Sequence, residues 1–139
     1  MTNEVFMAPM IALIIWTLIV WVVLFVRRVP AMKAARMDPE LAKSPTGEWK
    51  NALPLKAQAP AHNYNHLMEQ PTIFYAFMVW AVLTGNMSTP IAYLAWAYVG
   101  LRIVHSLVQI STGPVMTRFT LFILSTLCLI GMIVLALLT

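Results

Sequence analysis

HNYNHLMEQP, residues 62–71, stands where a long charged segment gives way to a membrane-length apolar run. On a helix, His62, His66 and Glu69 fall at i, i+4 and i+7 and share one face, with Asn65 bordering it. A carboxylate and imidazoles inside the edge of a bilayer cost free energy unless something pairs with them. The remainder of the chain therefore reads as the scaffold that supplies the partners.

Sixty per cent of the 139 residues are apolar and ten per cent are charged, against roughly 25% charged in an ordinary soluble domain. This composition indicates an all-α integral membrane protein, and the length suits one domain over residues 1–139. The net charge of +4 does not point to nucleic acid, because seven of the nine Lys and Arg residues crowd into one segment, residues 27–61. Such a segment suits anionic lipid head groups. The single cysteine, Cys128, excludes an internal disulfide. The first apolar run has no basic flank before it and exceeds a signal-peptide core, so it reads as a retained span. Neither end carries a lipidation motif.

Four spans are expected, at about residues 6–26, 66–85, 91–110 and 119–138, since a bilayer core needs about 20 residues of helix. Arg27-Arg28 are expected to stop the first abruptly. The loop after it is broken by Pro30, Pro39, Pro45, Pro54 and Pro60, with an amphipathic turn around residues 31–37 and a turn at 44–47. Trp49 and Leu53 are placed to dip into the interface. Pro71 falls in the first turns of the second span, where a missing donor is tolerable or kinks the helix mildly. In the third span Tyr98, Arg102, His105 and Gln109 follow at spacings of four, three and four, a second one-faced polar stripe. Arg118 opens the fourth span, whose Gly131, Ser125 and Thr126 let a neighbouring helix approach closely. By the positive-inside rule the first and third loops face the cytoplasm and both termini face away from it.

Helix rise then matches depths. Glu69 lies about 10 Å along the second span from His62, and Arg102 about 12 Å from the end of the third, at 1.5 Å per residue. Glu69, Arg102, His66, His105, Gln109 and Arg118 could therefore converge near the cytoplasmic face. Two readings of a Glu69–Arg102 pair stay open: a register device in which each charge satisfies the other, or a functional site, the default for buried membrane charge. His62, at the loop boundary, reads first as solvated, and Tyr98 as core. His-x-x-x-His-x-x-Glu could hold a divalent ion but is unspecific, so no metal is assigned.

With these residues in view, the chain resembles the MAPEG family, the membrane-associated proteins of eicosanoid and glutathione metabolism, in a bacterial branch. The resemblance runs over nearly the whole chain. Its most specific parts are Glu69 followed by Pro71 and Phe74, and Arg102-Ile103-Val104-His105 in the third span. It implies a four-helix bundle assembled as a homotrimer, with glutathione as cofactor between subunits near the cytoplasmic face. Glu69 resembles the family's glutathione-site glutamate, Arg102 with His105 its third-helix pair, and Arg118 an arginine proposed to stabilise the glutathione thiolate. His62, Asn65, His66 and Gln109 complete the implied binding set. The studied members carry Arg and Asn where this chain has His62 and His66. Asn65 is out of phase with that Asn by one residue. A tyrosine is common at Gln109, and Arg118 lies further beyond Pro114 than in the eukaryotic members.

The resemblance implies a glutathione- or thiol-dependent transferase or peroxidase acting on lipophilic small molecules that arrive from the bilayer. A small proton-coupled transporter is the alternative, with Glu69 exchanging protons, although small multidrug exporters carry their glutamate in span one. A third is a member of the fold that acts only as a membrane partner. A bacterial inner membrane is the expected location. The charge asymmetry yields a topology test. Cysteines introduced at Lys43 and Ser88 are expected to label from opposite sides of the membrane, Lys43 from the cytoplasm, and labelling from one side contradicts four spans.

Overall fold

The computed structural model describes residues 1–44 and 46–139. The chain is built from five α-helices, α1 Asn3–Ala34, α2 Leu55–Leu67, α3 Pro71–Leu83, α4 Thr89–Ile110 and α5 Val115–Leu138, with two short 3-10 turns between α1 and α2. Three of them, α1, α4 and α5, are long and apolar enough to cross a membrane.

Thr2 caps α1, its hydroxyl accepting from the Val5 amide at 3.2 Å, and Glu4 lies in the first turn, where the helix dipole favours a negative charge. Its buried residues Phe6, Pro9, Leu13, Thr17, Val20 and Leu24 recur every three or four positions. They form one inward stripe, and the rest of the apolar surface faces out. Arg27-Arg28 end the apolar run but not the helix, which continues through Pro30 to Ala34. Arginine is a good helix former, so a change of solvent at this depth need not break the backbone. The residues expected to form a separate amphipathic turn are therefore the last turns of α1. A Schellman closure follows, with Arg36 left-handed at φ 51 and the Met37 amide reaching the Met32 carbonyl at 3.0 Å. The expected turn at 44–47 is visible at its flanks, where Gly47 is left-handed at φ 65. Its Pro45 lies outside the described residues. Leu53 is buried, and Trp49 sits under Arg28 at 5.5 Å.

Where one span over 66–85 is expected, two helices occur. Pro71 has no amide to offer the Leu67 carbonyl, so α2 ends at Leu67. At Met68 and Gln70 the backbone stays right-handed, and i→i+3 bonds run from Met68 to Asn65 and from Glu69 to His66 at 3.1 and 3.2 Å. The break removes Glu69 from the helical face assigned to it. Helix α2 also begins earlier than expected, at Leu55, and its small Ala57, Ala59 and Ala61 are buried, as close helix approach requires.

Helix α4 is the central column, in contact with α1, α2 and α5. Its buried positions Ile91, Ala95, Tyr98, Arg102 and His105 follow the expected stripe, so the polar residues point inward and not at lipid. The α4–α5 approach is close at small residues. Ser125 is buried, and a Cβ on Gly131 would meet Leu94 at 3.2 Å. Helix α5 starts at Val115, one turn before the expected boundary, which sets Arg118 in its first turn.

Arg27 ties these elements together. Its Nη1 donates to the carbonyl of Ile110, the last residue of α4, at 2.7 Å and to the Lys56 carbonyl in α2 at 3.3 Å. Both belong to helix ends or first turns, and the α4 carbonyl has no partner within its own helix. Charged hydrogen bonds of this kind contribute about 1.5–3 kcal/mol. Arg27→Met is expected to lower the unfolding midpoint of the detergent-solubilised protein accordingly, with Arg27→Lys intermediate. An unchanged midpoint in Arg27→Met refutes the clamp.

Candidate functional site

The site is assembled along the α2–α4 contact. Asn63 donates from Nδ2 to Gln109 Oε1 at 2.8 Å. The His66 ring stacks on His105, centroids 4.9 Å apart at an interplanar angle of 9°. Arg102 Nη2 meets His66 Nδ1 at 2.8 Å and the His66 carbonyl at 3.4 Å. At the α2–α3 junction, Tyr98 donates to Gln70 Oε1 at 3.2 Å, and Gln70 Nε2 donates to Thr126 in α5 at 2.8 Å. Residues 63, 66 and 70 thus form a polar ladder against 109, 105, 102 and 98. Spacings of three and four keep Asn63 and His66 on one face of α2 and the four α4 residues on one face of α4, while Gln70 joins the ladder from the junction.

Arg102 is the deepest charge in the structure, with 0% of its surface exposed. It lies 5.6 Å above the Phe122 ring, within cation–π range. Its Nε and Nη1 are buried without partners among the described residues. The expected Glu69–Arg102 ion pair is not formed. Glu69 sits exposed in the 68–70 junction, its carbonyl occupied by the Thr72 hydroxyl at 2.6 Å. Among the described residues the ion pair found is Lys43–Glu40, in the loop. The physical reason is the Pro71 break: Glu69 lies beyond the end of α2, in the i→i+3-bonded junction, and not at the i+7 position of an unbroken helix.

Two cavities flank the ladder and share Arg118. A cleft of about 530 Å³ is lined by His62, Gln109, Thr112, Gly113 and Arg118, among others. A smaller recess of about 230 Å³ is lined by His66, His105, Val115, Arg118, Phe119 and Phe122. The rim between α4 and α5 is tightly built. Thr112 is left-handed at φ 57, unusual for a β-branched residue. A Cβ on Gly113 would lie 2.8 Å from Val108. The turn is closed by the Gly113 amide on the Val108 carbonyl at 2.7 Å.

Of the residues singled out in the sequence, His62, Gln109 and Arg118 meet in the cleft, and His66, His105 and Arg118 in the recess. Arg102 lies behind His66. Asn65 points elsewhere, into a separate recess with Trp21, Arg28, Lys50 and Tyr64. Glu69 lines neither cavity. The ladder also contains two uncharged residues that the sequence does not bring forward, the fully buried Asn63 and the bridging Gln70. The stripe 63/66/70 is as good a helical match as 62/66/69, but only the second carries an ionisable residue at every position. No group of three or more His, Cys, Asp or Glu side chains with metal-binding geometry occurs among the described residues.

A family model described as the MAPEG family matches residues 6–138. Comparison with curated proteins finds no match, and neither does comparison with solved structures.

The ladder predicts which side chains are energetically coupled. In a double-mutant cycle, Arg102→Leu and His66→Phe are expected to be non-additive, within the roughly 0.5–3 kcal/mol range for residues in contact. Arg102→Leu and Glu69→Gln are expected to add. The unfolding free energies of the three singles and two doubles in detergent decide it, and coupling confined to Glu69 would contradict this arrangement.

Proposed function

Because this chain belongs to the MAPEG family, we propose that it is a membrane enzyme that uses a thiol, glutathione or a close relative, on lipophilic substrates drawn from the bilayer. The observation that carries the reading is the place of Arg118. Arg118 lines both cavities, and its Nε is buried without a partner among the described residues. A free thiol ionises near pH 8.5, and a neighbouring cation favours the thiolate nucleophile. Arg118 holds the sulfur at the shared wall of the two cavities. His62 and Gln109 orient the rest of the cofactor in the cleft, whose size suits a small polar molecule. The reaction is conjugation to an electrophile or reduction of a lipid peroxide.

The wider arrangement proposed is the family's. Helices α2 and α3 together make the fourth crossing, since α3 alone, at 13 residues, is only about 20 Å long. The chain is one domain that assembles as a homotrimer in a bacterial inner membrane, with the basic loop cytoplasmic and both termini opposite. Asn65 and Glu69, exposed on the protomer, are then available to a cofactor held between copies. Nothing in the family match favours proton-coupled transport, and Glu69 lies in the exposed junction instead of a sealed bundle centre.

The test is turnover of glutathione with a chlorinated nitroaromatic by detergent-purified protein, beside calorimetric binding. Without Arg118 the thiol returns toward its solution behaviour, in which only a few per cent is thiolate at pH 7. Arg118→Leu is therefore expected to lose about tenfold or more in turnover at neutral pH and to recover as pH rises through the thiol range near 8.5. No turnover and no glutathione binding by the unaltered protein would reject the reading. Binding without turnover points to a non-catalytic member of the fold.

A further inference from the structure

Arginine carries donors and no acceptor. The 2.8 Å contact between Arg102 Nη2 and His66 Nδ1 therefore needs a lone pair on Nδ1. A neutral imidazole has one N–H, and here it must be on Nε2. A protonated ring would set two N–H groups against each other, and a flipped ring would lose the bond. The ring plane is held on one side by the stacked His105 and at its edge by Phe122, with centroids 5.2 Å apart. The nearby charged groups are Arg102 and Arg118, with Glu69 exposed in the adjoining junction. His66 Nε2 has no partner among the described residues, and the ring lines the recess that also contains Arg118.

We propose that Arg102 is a positioning residue that holds His66 as the neutral Nε2–H tautomer, and that His66 and Arg118 form a two-donor seat for one anionic sulfur or oxygen atom in the recess between α2, α4 and α5. The seat joins a neutral donor to a cation against the aromatic wall of Phe119 and Phe122. Donors already fixed in place stabilise a charge without reorganising when it arrives. Arg102 itself stays behind the ring and does not touch the ligand. That the seated atom is a thiolate rests on the function proposed above; the tautomer does not.

The experiment uses the full chain in lipid nanodiscs with nitrogen-15-labelled histidine rings, the His66 signals being assigned by their loss in His66→Gln. A pyridine-like Nδ1 and a pyrrole-like Nε2 are expected in the unaltered protein. An imidazolium or an Nδ1–H ring there overturns the proposal, whatever the variants do. In folded Arg102→Met the two signals are expected to move toward averaged values, and an unchanged spectrum removes the positioning role. Glutathione is expected to shift the Nε2 signal, whereas its analogue with alanine for cysteine leaves it in place. Glutathione binding without that shift overturns the seat. If neither tripeptide binds, the thiol reading fails, and thiocyanate is titrated as a bare sulfur anion. A thiocyanate-induced Nε2 shift supports the seat, and none overturns it.

Discussion

A guanidinium with no exposed surface, inside a bundle of helices, constrains everything around it. Arg102 cannot shed its proton, because its charge is effectively permanent, and burial without acceptors would be costly. The fold meets this need with an imidazole lone pair, a backbone carbonyl of the same residue and the face of Phe122. Each acceptor comes from a helix other than Arg102's own. Two of its nitrogens remain without partners among the described residues. The charge is accommodated within the protomer but not neutralised, and the recess in front of it is correspondingly disposed toward anions.

The consequences spread along α4. Because Arg102 must meet α2, the whole inward stripe of α4 is turned toward α2 and α5. Tyr98 then reaches Gln70, and Gln109 reaches Asn63. The ladder aligns α2 against α4, and Arg27 fastens the end of α4 to α1 and α2. On the far side, Ser125 and Gly131 bring α5 close enough for Phe122 to cover the guanidinium and for Arg118 to border both cavities. Packing and site are one arrangement here, since the contacts that set helix register also orient His66.

Much of this is legible in the residues. The long apolar runs identify helices α4 and α5 to about a turn, and α1 at its start but not at its end eight residues further on, because a charge-free run of about 20 residues is what a bilayer core selects. The three-and-four spacing of Tyr98, Arg102 and His105 correctly marks the buried face of α4. The departures share a cause, which is that charge is an incomplete guide to backbone and packing. Arg27-Arg28 end an apolar run without ending a helix, since backbone continuity and solvent boundary are separate properties. His62 and Glu69 stand out as ionisable residue types beside Asn63 and Gln70, yet an amide buried in a bundle needs a partner just as surely.

The sequence by itself determined that this is an all-helical membrane protein, which residues of α4 face inward, and the family to which it belongs. These follow from composition, periodicity and short motifs, all of which are local. What only the tertiary structure decided is who meets whom. Pro71 withdraws one backbone donor, α2 stops at Leu67, and the resulting junction puts Glu69 at the surface and Gln70 in the ladder. The partner of Arg102 is therefore His66 and not Glu69. A one-residue change of phase on a helix rotates a side chain by about 100° at 3.6 residues per turn, and sequence spacing cannot resolve that rotation until the neighbouring helices are in place.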